Sequence, residues 1–97
     1  MGEFLFQWDK RKARVNLQKH GVSFEEAASV FRDRFAVMFG DAEHSQSEDR
    51  WIMLGMSEKG RELCVVYVER GLVIRIISAR KVSLGEAEAY ESNYPKR

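Results

Sequence analysis

The sequence predicts an α+β domain, a mostly antiparallel twisted sheet packed against helices in the order β-α-α-β-β-β-β-α. Three observations carry that expectation. Strand-like runs at Trp51 to Ser57, Leu63 to Glu69 and Leu72 to Arg80 are joined by the short segment 58–62 and by Arg70-Gly71, the pattern of an antiparallel meander. Two Ser-x-x-Glu boxes, Ser23 with Glu26 and Ser83 with Glu86, each open a helical stretch. The bulk numbers then limit the scale: 97 residues with 44% hydrophobic and 32% charged side chains suit one folded core, so residues 1–97 are read as a single domain.

Each element has a local reason. Phe4, Phe6 and Trp8 alternate with other residues, the period of a short strand with one buried face. Asp9 caps a helix over Lys10 to His20, with Ala13 and Leu17 on its inward face and Lys12, Asn16, Lys19 and His20 on or beside another, and Gly21 supplies the left-handed stop. Ser23 opens a second helix to about Phe31, with Val22 and Ala27 as a hydrophobic staple. Phe35 to Phe39 reads as a strand, and the polar stretch from Gly40 to Arg50 as a surface loop. The last strand carries aliphatics at both parities, which predicts a central strand covered on both faces. Ser83 and Glu86, with Val82 and Ala87 as a staple, open a final helix that ends near Tyr94-Pro95.

Composition also narrows the functions. The longest apolar run, around Val73 to Ile77, is far shorter than the roughly 20 residues that cross a bilayer. The start of the chain lacks the basic and apolar pattern of a secretory signal, so no membrane partner and a cytoplasmic location are expected. The lone Cys64 excludes an internal disulfide and cysteine-based metal sites, and is read as an inert core thiol. A net charge of +1 hides an uneven layout. Residues 1–21 carry five basic and two acidic groups, 22–49 two and seven, and 50–81 seven and three. If folding joins the first and third segments, they form a basic surface for phosphates, while the acidic stretch faces elsewhere or meets a basic partner.

Arg75 and Arg80 stand in an otherwise aliphatic strand, where charge is disfavoured without a reason. Guanidinium forks suit phosphate oxygens; the competing structural explanation pairs Arg75 with a carboxylate such as Glu69 and sends Arg80 into water. Strand parity puts Ser78 and Arg80 on one face and Arg75 on the other unless a bulge intervenes. Arg50 begins a strand, and in a meander its position is expected near the end of a neighbouring one, where Arg80 emerges. His20 is a proton exchanger or a helix-end residue; His44 is a base, a metal ligand or a plain loop residue, with metal binding disfavoured by the spacing of the two histidines. No phosphate-binding glycine loop, nucleophile elbow or paired metal-ligand motif is present, so neither a metal nor a cofactor is expected.

Several stretches together resemble the BrnT toxin family: Trp8-Asp9 with Lys12 and Asn16; Lys19-His20-Gly21-Val22-Ser23-Phe24-Glu25-Glu26-Ala27 with Phe31; His44-Ser45; Arg50; Gly55; Gly60-Arg61; Glu69-Arg70-Gly71; Arg75-Ile76-Ile77-Ser78-Ala79-Arg80; and Tyr90-Glu91. The resemblance implies a RelE-like fold, metal-independent RNA cleavage that inhibits translation, and neutralisation by a cognate BrnA-like antitoxin whose ribbon-helix-helix portion binds operator DNA. It places Arg50, Arg75 and Arg80 at the phosphorane charge, with Ser78 and His20 as further catalytic candidates and Lys12, Lys19 and Lys81 as RNA-binding ones. Whether Lys19 or His20 moves a proton or holds a phosphate, and whether Ser78 bonds backbone or substrate, stays open. Two departures stand out: Gln7 where an acidic residue is expected, and Ala87 where relatives often carry arginine. The alternative function is a non-catalytic subunit that acts only through a protein partner, with the acidic 22–49 stretch as its main surface.

Overall fold

A computed structural model describes residues 4–44 and 48–93. The elements run β1 (Leu5–Gln7), α1 (Lys10–His20), α2 (Phe24–Ser29), β2 (Val37–Gly40), β3 (Arg50–Met56), β4 (Glu62–Arg70), β5 (Val73–Lys81) and α3 (Leu84–Glu91), with single 3-10 turns at Val30–Arg32 and Ala42–His44. The five strands form one sheet in the order β1-β5-β4-β3-β2, antiparallel except for the parallel pair β1 and β5. The architecture is the α+β arrangement expected from the sequence. The Tyr94-Pro95 helix stop, and Ser45, lie outside the described residues.

The local signals act as read in α1 and α3. Asp9 accepts the Lys12 amide at 2.9 Å, and Gly21 closes α1 at φ 69°. Ser83 and Glu86 form a complete capping box, each side chain accepting the other's amide. At α2 only half of the expected box forms. Ser23 accepts the Glu26 amide, but the Glu26 carboxylate is buried and accepts from Arg61 and the Ser57 hydroxyl. A buried carboxylate needs a cation, and Arg61 outcompetes the neutral backbone amide for it.

The inward face of α1 also differs from expectation. Leu17 is 51% exposed, whereas Asn16 is buried. Its amide donates to the carbonyls of Val22 and Ala79 at 2.9 and 2.8 Å and accepts the Ala79 amide at 3.1 Å. β1 ends opposite Arg75, so the outer edge of β5 lacks a strand partner beyond that point. Asn16 supplies both halves of the missing ladder there, which is why a polar side chain is buried on a helix with little apolar surface.

The last strand lies inside the sheet between β1 and β4, as expected, but its buried residues Ile74, Ile76 and Ala79 all belong to one core, not to two covered faces. Val66 pairs with Ser78 and Tyr67 with Ile76, so Ile77 is an extra residue, a β-bulge. The bulge, rather than burial on both faces, explains the change of aliphatic parity. One face of the sheet (Leu63, Val65, Tyr67, Ile74, Ile76, Ala79) packs on Val22, Phe24, Ala27 and Val30 of the α1–α2 region. Gly55 is required here: a Cβ would stand 2.7 Å from a Val30 methyl. On the other face, Tyr90 of α3 covers Leu54 and Cys64. The Tyr90 hydroxyl donates to Asp33 and the Asn93 amide to the Phe35 carbonyl, tying α3 down at that end of the sheet. Its opposite end remains open.

Candidate active site

The uncovered end of the α3 face carries three arginines from three adjacent strands. Arg50 on β3 lies opposite Val68 on β4, which lies opposite Arg75 on β5. Arg70, two residues from Val68, shares its face. Two strand spacings separate Arg50 from Arg75 by roughly 10 Å, within joint reach of one phosphodiester for side chains of this length. Lys12, from the first turn of α1, and His44 and Glu48, from the loop before β3, complete an open cleft of ≈ 400 Å³ with Val68 and Ile77. A second depression of ≈ 290 Å³ shares Lys12 and Ile77 and continues past Arg11, Val15, Asn16, Lys19, His20 and Ser78.

The basic segments 1–21 and 50–81 therefore meet, with Lys12 from one and Arg50, Arg70 and Arg75 from the other. Part of the acidic stretch between them is paired within the molecule. Glu26 meets Arg61, Asp33 accepts from Tyr90 and from the Met56 amide, and Glu48 meets Arg70.

Within the cleft, Arg75 donates to the neutral Gln7 side chain at 3.1 Å, not to Glu69, which lies beside Ile74 on the other face. A neutral partner orients the guanidinium without cancelling its charge. Arg70 and Glu48 form a bidentate pair, both contacts at 2.7 Å. The Arg70 hydrogen bond holds the Glu48 carboxyl below the usual range, with a further contribution from the charge of Arg75. His44 is oriented by Asp41, whose carboxylate oxygens stand 3.1 and 3.2 Å from Nδ1.

The bulge corrects the parity argument. With Ile77 excluded from the ladder, Arg75, Ser78 and Arg80 share one face. Arg80 nevertheless does not join Arg50. β3 and β5 run in the same direction across β4, so Arg50 aligns with Arg75 near the strand starts, while Arg80 lies opposite Cys64 at the α3 end. There its guanidinium donates to both Glu86 oxygens at 2.7 and 2.9 Å and to the Lys81 carbonyl at 3.2 Å. Arg80 draws the Glu86 carboxyl down to about 2. Lys81 follows at the strand end, paired with Leu63 and outside both depressions. Cys64 beside them is buried, and burial pushes its thiol up to about 11, so it stays protonated.

Of the residues singled out from the sequence, Arg50, Arg75 and Lys12 thus line the main cleft, Ser78, His20 and Lys19 the adjoining depression, and Arg80 and Lys81 neither. Sequence reasoning passed over Arg70, although the parity of β4 places it on the same face as Val68. Glu48 had no signal, because a polar loop carries no period. Among the described residues no group of three or more histidines, cysteines or carboxylates is arranged to hold a metal ion.

The family model described as "Ribonuclease toxin, BrnT, of type II toxin-antitoxin system" matches residues 8–86. That span includes every residue lining both depressions. Among solved structures, the 1.1 Å crystal structure of the Brucella abortus ribonuclease toxin BrnT superposes with a TM-score of 0.63 at 21% identity, covering 84% of this chain and 99% of that one, which is a likeness of fold. No curated protein sequence matches the chain.

Proposed function

The chain belongs to the BrnT family of ribonuclease toxins of type II toxin-antitoxin systems, and from that premise we propose that it is a metal-independent endoribonuclease that cleaves RNA in the Arg50–Arg75 cleft. The observation that carries this reading is the convergence of Arg50, Arg75 and Lys12 from two strands and a helix onto one open cleft. The ribose 2′-hydroxyl serves as nucleophile, so the protein has to orient the strand, move protons and neutralise the charge that builds on phosphorus. Arg50 and Arg75 face that charge and Lys12 joins the two depressions. Lys19, His20 and Ser78 hold the flanking nucleotide. Arg80 and Lys81 are assigned away from the chemistry, Arg80 as the anchor of α3.

Cleavage of cytoplasmic RNA would inhibit translation, and a type II system implies an antitoxin partner; we assign that role to a BrnA-like protein whose ribbon-helix-helix portion contacts operator DNA. The test is incubation of the purified protein with labelled RNA in chelator. Cleavage leaving 2′,3′-cyclic phosphate ends, lost in a folded Arg75→Ala variant, is the expected result. Intact RNA, together with normal growth and transcript levels on expression in cells, would move the non-catalytic, partner-binding alternative ahead.

A further inference from the structure

Lys12, Arg50, Arg70 and Arg75 make the main cleft basic, and one carboxylate stands among them. Glu48 is the single carboxylate among the described residues lining either depression. A negative charge there repels the phosphate that the arginines attract, so binding alone gives no reason for it. Arg70 keeps it in place through one hydrogen bond to each oxygen, and each oxygen retains a further lone pair. His44 lines the same cleft and is held by a short chain of contacts. The Asp41 amide donates to the Arg50 carbonyl at 2.8 Å, the His44 amide to the Asp41 carbonyl at 3.2 Å, and the Asp41 carboxylate faces Nδ1. An ionised carboxylate only accepts, so Nδ1 carries the hydrogen of that contact and Nε2 is the nitrogen left for proton exchange.

We propose that Glu48 and His44 are the catalytic base and acid of this cleft, a deepening that rests on the ribonuclease reading above. The Glu48 carboxylate takes the proton of the ribose 2′-hydroxyl as the 2′-oxygen forms its bond to phosphorus. The bond from phosphorus to the 5′-oxygen breaks, and the His44 imidazolium passes its Nε2 proton to that oxygen. The products are a 2′,3′-cyclic phosphate and a 5′-hydroxyl, and exchange with water restores both side chains. Arg70 from β4 and Arg75 from β5 keep Glu48 ionised, the form a base requires. Arg50 from β3, Lys12 from α1 and Asp41 in the same loop are further charges around the pair, with Glu43 and Asp49 as its neighbours along the chain.

The test compares wild type, Glu48→Gln and His44→Ala on labelled RNA in chelator, across pH, with affinity read separately on the uncleavable 2′-deoxy strand. Both variants are expected to cleave roughly 10²-fold or more slowly, and Glu48→Gln to bind the deoxy strand as tightly as wild type or more so. A bridging 5′-sulfur at the linkage the wild type cuts needs no proton to leave. On that substrate His44→Ala should recover most of the wild-type rate and Glu48→Gln should stay slow, and each variant should lose one limb of the pH profile. Folded variants that cleave within a few-fold of wild type, or that lose rate equally on both substrates along with affinity, would overturn the pair and leave the ribonuclease reading standing. A wild-type protein that cuts no RNA would overturn both.

Discussion

Arg75 and Arg80 stand five residues apart on one strand and on one face of one sheet, yet their surroundings are opposite. Arg75 opens onto a cleft with a neutral glutamine beside it, whereas Arg80 lies against α3 with a carboxylate gripping both arms of its guanidinium. The difference teaches that an arginine in a strand is not in itself a sign of phosphate chemistry. What decides is whether the packing above it supplies a counter-charge. α3 covers one end of the face and brings Glu86 with it; at the other end Glu48 is held by Arg70, and Arg75 keeps a neutral hydrogen-bond partner and opens onto the cleft.

The widest separation between the two ends should appear in RNA cleavage. Arg75→Ala is expected to lower it by roughly 10²- to 10³-fold, the scale for removing a donor to a developing oxyanion, while Arg80→Ala keeps its rate and loses stability of about 1 kcal/mol, as for a half-exposed ion pair. Parallel cleavage assays and thermal melts read both, and a folded Arg80→Ala protein that cannot cleave would break the comparison. Salt titration of binding to the deoxy strand is the next discriminator. Arg50→Ala and Arg75→Ala should each reduce the slope by about 0.7, one single-strand phosphate contact, and Arg80→Ala should leave it unchanged.

The comparison is sharpened by making one end resemble the other. Gln7→Glu gives Arg75 the kind of partner that Arg80 already has. We expect a folded protein with RNA affinity several-fold weaker; unchanged affinity would mean that the neutral partner is incidental.

Smaller effects belong to acid titration of the α3 end. The folded-state carboxyl of Glu86, at about 2, lies below its ordinary 4.5. Its pairing therefore contributes stability that is present above the ordinary value and is lost as pH falls towards 2. Glu86→Gln should lower Tm by about 5 °C at pH 7, on a discounted scale of about 1 kcal/mol, and the gap to wild type should close in acid. Glu62 behaves in the opposite sense. Burial, then the hydrogen bond and charge of Glu91, raise its carboxyl, and its Oε1 is buried without a partner. Its contribution falls as pH rises through that raised range, so Glu62→Gln should be slightly more stable than wild type at pH 7, with the advantage gone at pH 4.

Much of this molecule was legible before folding. The Asp9 and Ser83 caps, the Gly21 stop, the Arg70-Gly71 turn and the order of elements along the chain all follow from side chains acting on backbone within a few residues. Legible too were the two basic segments and the resemblance to the family whose model matches residues 8–86. Local rules misled where a long-range partner offered more. Glu26 left its capping box for Arg61, and Asn16 displaced Leu17 from the inward face because the edge of β5 needed a donor and an acceptor.

What the chain determined alone was therefore its elements, their order and the existence of a basic, family-like surface, since propensity, capping and turn chemistry are settled over short stretches. Which arginines meet was decided only in three dimensions. It depended on the register of β3 against β5 across β4, on one extra residue at Ile77, and on where α3 came to rest. Register and docking are set by the burial of whole faces, and no window of sequence contains both partners of such a contact.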